Sequence, residues 1–139
     1  MSASAGYSGT PLPRKLGIKP GARVALLRAP EGFASTLGAL PDGVRVTERA
    51  RGPLDVVVFF TTERRMLERR LPALMAALEP AGRLWIAWPK RASKVPTDMT
   101  EDVVRELALP LGLVDNKVAA LDATWSGLQL VIRRELRRG

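Results

Sequence analysis

Apolar residues in this chain fall into short runs, separated by polar breaks rich in proline and glycine. Leu54 to Phe60 is the strongest run: apolar except for Asp55, and built from β-branched and aromatic residues. A run without polar alternation predicts a strand covered on both faces, as in a parallel sheet. Arg23 to Arg28 and Arg83 to Trp88 read the same way, and Val44 to Thr47 reads as a shorter strand. Between them the spacing changes. Glu63 to Leu78 carries Met66, Leu67, Leu71, Leu74, Met75 and Leu78 on one side at helical intervals. Pro72 predicts a kink there, or one helix ending and another beginning, and Pro80-Ala81-Gly82 reads as its end. Gly32 to Leu40 reads as a helix with Phe33, Leu37 and Leu40 on one face and Pro30 at its first position. Arg14 to Leu16 forms at most one helical turn.

The C-terminal third adds one more helix and two strands. Thr100 or Asp98 is placed to cap a helix reaching about Leu111, with Glu101 and Asp102 complementing its positive end and Gly112 closing it. Val114 to Leu121 and Leu128 to Arg134 then read as antiparallel strands joined by a turn within Asp122 to Gly127. Strands alternating with helices predict a three-layer α/β, Rossmann-like fold. Its sheet is mostly parallel, with right-handed crossovers and a C-terminal antiparallel hairpin. With 139 residues the chain suits one domain. Residues 1–13 read as a flexible N-terminal arm and 14–139 as the domain, with Tyr7, Leu12 and Leu16 available to fold back over the strand ends.

Composition narrows the chemistry. There is no cysteine and no histidine, which excludes disulfides, thiol nucleophiles and imidazole bases. No carboxylates are spaced for a hard cation, so no metal is expected. No apolar run reaches the roughly 20 residues of a membrane span, and Met1 to Thr10 lacks the apolar stretch of a signal peptide. The expected location is the cytoplasm. Net charge is +8, mostly from arginine. Arg64, Arg65, Arg69 and Arg70 cluster on one predicted helix, and Arg133, Arg134, Arg137 and Arg138 at the C-terminus. Acids are interleaved, so the charge serves either solubility or a polyanion such as RNA.

Two segments carry a resemblance. Leu16 to Val24 (Leu-Gly-Ile-Lys-Pro-Gly-Ala-Arg-Val) resembles the run-in to the first strand of class I, S-adenosylmethionine-dependent methyltransferases. Leu78 to Ile86 resembles the turn into that fold's fifth strand, and the closing helix and hairpin fit its ending. The chain as a whole also resembles a small family of bacterial domains with no assigned activity, which supplies no chemistry. In the methyltransferases an acid and three glycines follow the first strand and let the backbone approach the cofactor. Here Leu26 stands in the acid's place, Arg28 and Pro30 in those of the first two glycines, and only Gly32 matches. Arg28 would fill the ligand's space and oppose its sulfonium charge; Pro30 removes an N–H donor. Glu48 matches the acid that would hold the cofactor ribose, but it also reads as an ordinary surface glutamate. Thr47 and Leu54 are only seven positions apart, where the family has a helix, a strand and another helix. A shortened sheet without that edge strand is the expectation. After the central strand, Phe59-Phe60-Thr61-Thr62 lacks the signature of amino-group methyltransferases, and Thr61 or Thr62 suits a helix cap.

Ligands in open α/β sheets bind beyond the carboxyl ends of the parallel strands. Arg28 to Gly32, Thr61 to Arg64 and Trp88 to Thr100 fall there. Trp88, Lys90, Arg91, Ser93, Lys94 and Thr97 combine cations, hydroxyls and an aromatic plane, the equipment of an anion or phosphate site; a solvated loop beside a core tryptophan is the alternative. Asn116, Lys117 and Trp125, with Thr124, border the same site if the hairpin lies against the Lys90 loop, and plain turn chemistry is the alternative. With Arg28 and Thr61 these are the candidate binding residues; no catalytic residue and no cofactor are assigned. Three readings follow. One is a non-catalytic methyltransferase-like binding or interaction module, oligomeric through a sheet edge or the Arg64–Leu78 helix. The second is a binder of a phosphate, nucleotide, other small anion or RNA at Lys90–Lys94. The third is an active methyltransferase with a rearranged cofactor site. A cleft plugged by Arg28, Phe33 or the arm favours the first.

Overall fold

The computed structural model describes residues 10–137. Helix α1 (Leu12–Leu16) leads into strand β1 (Arg23–Leu27), helix α2 (Phe33–Leu37), and strands β2 (Arg45–Thr47) and β3 (Leu54–Phe60). Helix α3 (Arg64–Ala76), strand β4 (Leu78–Pro89), helix α4 (Glu101–Ala108) and strands β5 (Leu113–Ala120) and β6 (Trp125–Ile132) complete the chain. The six strands form one sheet in the order β2-β1-β3-β4-β6-β5. β2, β1, β3 and β4 run parallel, and β6 returns antiparallel between β4 and β5. This is the expected mostly parallel α/β sheet with a terminal hairpin.

Alternate side chains of the central strands enter two cores, because successive strand residues point to opposite faces. On one face Ala25, Leu27, Val57, Phe59, Leu84, Ile86, Leu128 and Leu130 pack under Leu67, Leu71 and Leu74 of α3 and Val104 and Ala108 of α4. On the other, Val24, Val56, Val58, Phe60, Trp85 and Ala87 pack under Leu12 and Leu16 of α1 and Phe33 and Leu37 of α2. Trp85, fully buried, donates its indole N–H to the Leu16 carbonyl at 3.0 Å and so ties α1 to the sheet. Leu12 and Pro13, read from sequence as part of an arm, belong to α1 and are buried. Their apolar surface is what the second core needs to cover it. Residues 1–9 of the arm, Tyr7 included, lie outside the described residues.

Several boundaries differ from the sequence reading. α3 is one helix that passes through Pro72, which faces solvent while Leu71 and Leu74 on either side stay buried. β4 begins at Leu78, so Pro80-Ala81-Gly82 lies within the strand. Leu78 pairs with Leu54 and Arg83 with Val56, leaving 79–82 as a bulge. α2 ends at Gly38, well before Leu40, and starts after Gly32 rather than at Pro30. Of the two cap candidates, Thr100 Oγ1 accepts the Val103 amide at 3.1 Å and caps α4. Asp98 instead accepts the Arg64 amide at 2.7 Å and caps α3.

Replacing Trp85 by Phe leaves the Leu16 carbonyl without its donor and opens a cavity. Unfolding in denaturant should show a loss of about 2–3 kcal/mol; a loss below about 0.5 kcal/mol would mean that the tie contributes little.

Candidate functional site

Parallel pairing brings the carboxyl ends of three strands to one edge. Leu27 pairs with Phe59, and Phe59 with Ile86, so Arg28, Thr61 and Lys90 follow at neighbouring strand ends. Pro89 pairs with Trp125, which sets the start of β6 beside them. Across these ends the second core closes with aromatic rings. Phe33, buried at 2% exposure, meets Phe60 edge-on with centroids 4.8 Å apart. Phe60 meets Trp125 edge-on at 5.2 Å. The row is apolar and packed, and edge-to-face pairs of this kind add to the burial energy of the rings.

Beside this row lies a groove of about 510 Å³, lined chiefly by 28–34 together with Leu26, Val46 and Glu48. Its loop holds two left-handed residues, only one of them a glycine. Arg28 has φ 60°, in the left-handed region that a side chain disfavours, and Gly32 has φ 86°. Pro30 contributes a carbonyl, which accepts the Phe33 amide at 3.1 Å, and no N–H. The groove's charged residues are Arg28, Glu31 and Glu48.

The loop after β4 is less open to a ligand than its composition suggests. Trp88 is only 7% exposed and belongs to the α3/α4 core, so it offers no free stacking face. Ser93 Oγ donates to the Lys90 carbonyl at 2.7 Å and accepts the Val95 amide at 3.2 Å. Thr97 Oγ1 donates to the Thr62 carbonyl at 2.6 Å and accepts the Met99 amide at 3.0 Å. Both hydroxyls thus hold turns together, the local use these residues favour. Thr61, buried, does the same, accepting the Glu63 amide at 3.0 Å. Lys90, Arg91 and Lys94 are partly or fully exposed and form no ion pair among the described residues.

The hairpin divides the remaining candidates. The Lys90 amide donates to the Thr124 carbonyl at 2.8 Å, so Thr124 and Trp125 adjoin the loop. Asn116 and Lys117 do not. Lys117 pairs with Gln129, which faces Trp85, four register positions from the Pro89–Trp125 pair. At about 3.4 Å per residue that is roughly 13 Å away. Both lie in the middle of β5, well before the hairpin turn, and Asn116, at a one-residue bulge, donates its amide to Gln129 Oε1 at 2.8 Å. Lys117 Nζ sits 5.8 Å from the centre of the Trp85 ring.

Sequence reading missed the main electrostatic centre. Arg105 on α4 reaches Glu101, Asp102 at 3.3 Å and Asp115 of β5 at 3.0 Å. Its hydrogen bond holds the Asp115 carboxyl below the usual carboxylate range, and the bonds to Asp115 and Glu101 hold the guanidinium above its own. Helical spacing exposes the Arg105–Glu101 pairing in the sequence, but nothing local announces Asp115. Arg64 pairs with Glu106 at 2.7 Å, and that bond raises its pKa. Among the described residues no His/Cys/Asp/Glu group could hold a metal, and no helix is long and apolar enough to cross a membrane.

No family profile matches the chain, and no curated protein matches it in sequence. Solved structures match in fold. A putative type 11 methyltransferase from Sulfolobus solfataricus superposes with a TM-score of 0.63 at 14% identity, covering 88% of this chain and 89% of that one. A SAM-dependent methyltransferase from Aquifex aeolicus gives 0.58 at 16% identity, with 86% of each chain covered. TrmN from Thermus thermophilus gives 0.55 at 17% identity over 87% of this chain, which spans only 47% of TrmN. At these identities the likeness is one of fold: the chain has a methyltransferase-like, Rossmann-like architecture.

Two outcomes follow from the site's geometry. Arg28→Gly relieves a left-handed residue of its Cβ and should raise the unfolding free energy by about 0.5–1 kcal/mol; a loss of stability would mean that the Arg28 side chain contributes a contact of its own. Asp115 titrates below its unfolded value, so its contribution is full above that value and is lost as pH falls. The stability gap between the wild type and Arg105→Gln should therefore be constant above about pH 5 and narrow below about pH 4, read from urea midpoints at each pH.

Proposed function

We propose that this chain is a methyltransferase-fold domain that binds no S-adenosylmethionine and serves as an interaction module. The carrying observation is the aromatic row Phe33–Phe60–Trp125 packed across the carboxyl ends of the strands, where an open α/β sheet takes its ligands. The residues around it do not fit the cofactor. Arg28 brings a cation towards the place of a sulfonium, and Pro30 supplies no amide where a glycine's N–H would point inward. With no histidine or cysteine in the chain, neither an imidazole base nor a thiol stands beside the groove.

Glu48 in the groove supports the competing reading, an active methyltransferase with a rearranged site. One acid without the glycine loop is a small part of such a site. The phosphate or RNA reading at Lys90, Arg91 and Lys94 rests on three cations without ion pairs, but Ser93 and Thr97 donate to backbone carbonyls and do not converge on an anion. Calorimetry with S-adenosylmethionine separates the readings. No heat of binding at millimolar cofactor is expected; a micromolar dissociation constant would overturn the proposal in favour of the active enzyme.

A further inference from the structure

Among the described residues the sheet ends at β2, a strand of three residues that pairs with β1 alone. Its hydrogen bonding is half used. The Arg45 amide donates to the Ala22 carbonyl at 3.0 Å and so faces β1. Alternation along a parallel strand then turns the N–H and C=O of Val46 to the open side. Val46 is also an exposed apolar residue, at 45% exposure. A groove of about 250 Å³ runs between this edge and the link to β3, and four arginines line it: Arg23, Arg45, Arg49 and Arg51.

Among the described residues these arginines have no counter-ions. The ion pairs among the described residues belong to Arg64 and Arg105. Asp55, which lines the neighbouring cavity together with Glu79, already accepts the Arg23 backbone amide at 2.8 Å. Four guanidinium groups around so small a space repel one another, and each presents a planar fork suited to a carboxylate. A second copy of this chain is a poor occupant, because it would set the same arginines against themselves. They guard the edge from self-association, as charges on edge strands commonly do.

We infer that the β2 edge and its arginine groove dock an extended acidic segment of a partner protein, which adds a strand beside Val46 and pairs its carboxylates with Arg23, Arg45, Arg49 and Arg51. Main-chain bonds to Val46 supply the geometry of strand addition, and the arginines select for acids and speed encounter. The inference deepens the interaction-module reading; Val46 also lines the Phe33 groove, whereas the four arginines do not. Cofactor binding would sink that reading but leave the arginine groove free to take peptide, and an edge that refuses peptide would leave the Phe33 row as it is.

The test uses a fluorescent peptide of alternating valine and glutamate, read by anisotropy, with an oligouridylate RNA of similar length as the second probe. The peptide is expected to bind. R45E/R49E should weaken it at least about tenfold, and R65E/R69E on α3, an equal change in net charge, less than about threefold. Amide exchange at Val46 should slow when peptide is bound. Absence of peptide binding, equal weakening by both double variants, or RNA binding at this edge without peptide binding would each overturn the inference. Should R45E/R49E fail to fold, exchange at Val46 in the wild-type chain decides alone: slowed by peptide it supports the inference, unchanged it overturns it.

Discussion

The connection between β2 and β3 constrains much of this architecture. Six residues, 48–53, carry the chain from one neighbour of β1 to the other. The lateral step is two strand spacings, about 10 Å. Because Thr47 lies level with Ala25 and Val57, the link must also retreat three residues to Leu54, about another 10 Å. Six residues reach only about 20 Å when extended. A β2 much longer than three residues would put its end out of reach, and no crossover helix fits. The link is also tight against the body: a Cβ on Gly52 would overlap the Ala77 carbonyl, which already accepts the Leu54 amide at 2.9 Å. A short edge strand, an open flank and the arginine groove all follow from this one length.

The second constraint is closure of the core on the α1/α2 face. α1 and α2 have five residues each and bring few side chains. Leu12, Leu16, Phe33 and Leu37 must cover Val56, Val58, Phe60 and Trp85. Phe33 does this at the carboxyl ends of the strands, beside the groove that Arg28 and Glu48 line; on the proposed reading, the residue that completes the core also takes space that a ligand would need. On the opposite face α3 and α4 are longer, and Arg105 bonds α4 to β5, so the hairpin half of the sheet is held independently of that cleft.

Much of the fold was legible because burial on both faces leaves an unmistakable run, as in Leu54–Phe60, and because Gly112 and Thr100 act locally. Less legible were features set by partners distant in sequence. Asp98 looks like a cap for the helix that follows it, yet it caps α3, 34 residues earlier. Pro80-Ala81-Gly82 looks like a helix stop because a bulge inside a strand has the same composition. The Lys90 loop looks like an anion site because sequence counts hydroxyls but not their commitments; Ser93 and Thr97 are engaged in turns. Asn116 and Lys117 look like neighbours of that loop because the sequence shows a hairpin but not how far along it each residue pairs; they sit mid-strand, opposite Gln129 rather than Trp125. The arginines at 45, 49 and 51 went unremarked because they gather only when β2 lies beside β1.

Arg28 and Pro30 stand in a loop whose backbone is closely defined. The loop keeps a left-handed residue at Arg28 and a left-handed glycine at 32 while α2 turns Phe33 into the core. The most direct test is a backbone amide spectrum of the protein titrated with S-adenosylmethionine. The predicted result is no movement of the signals from 26–34 and 46–48 at millimolar cofactor. Saturable shifts in those residues, with Phe33 displaced from Phe60, would contradict the account.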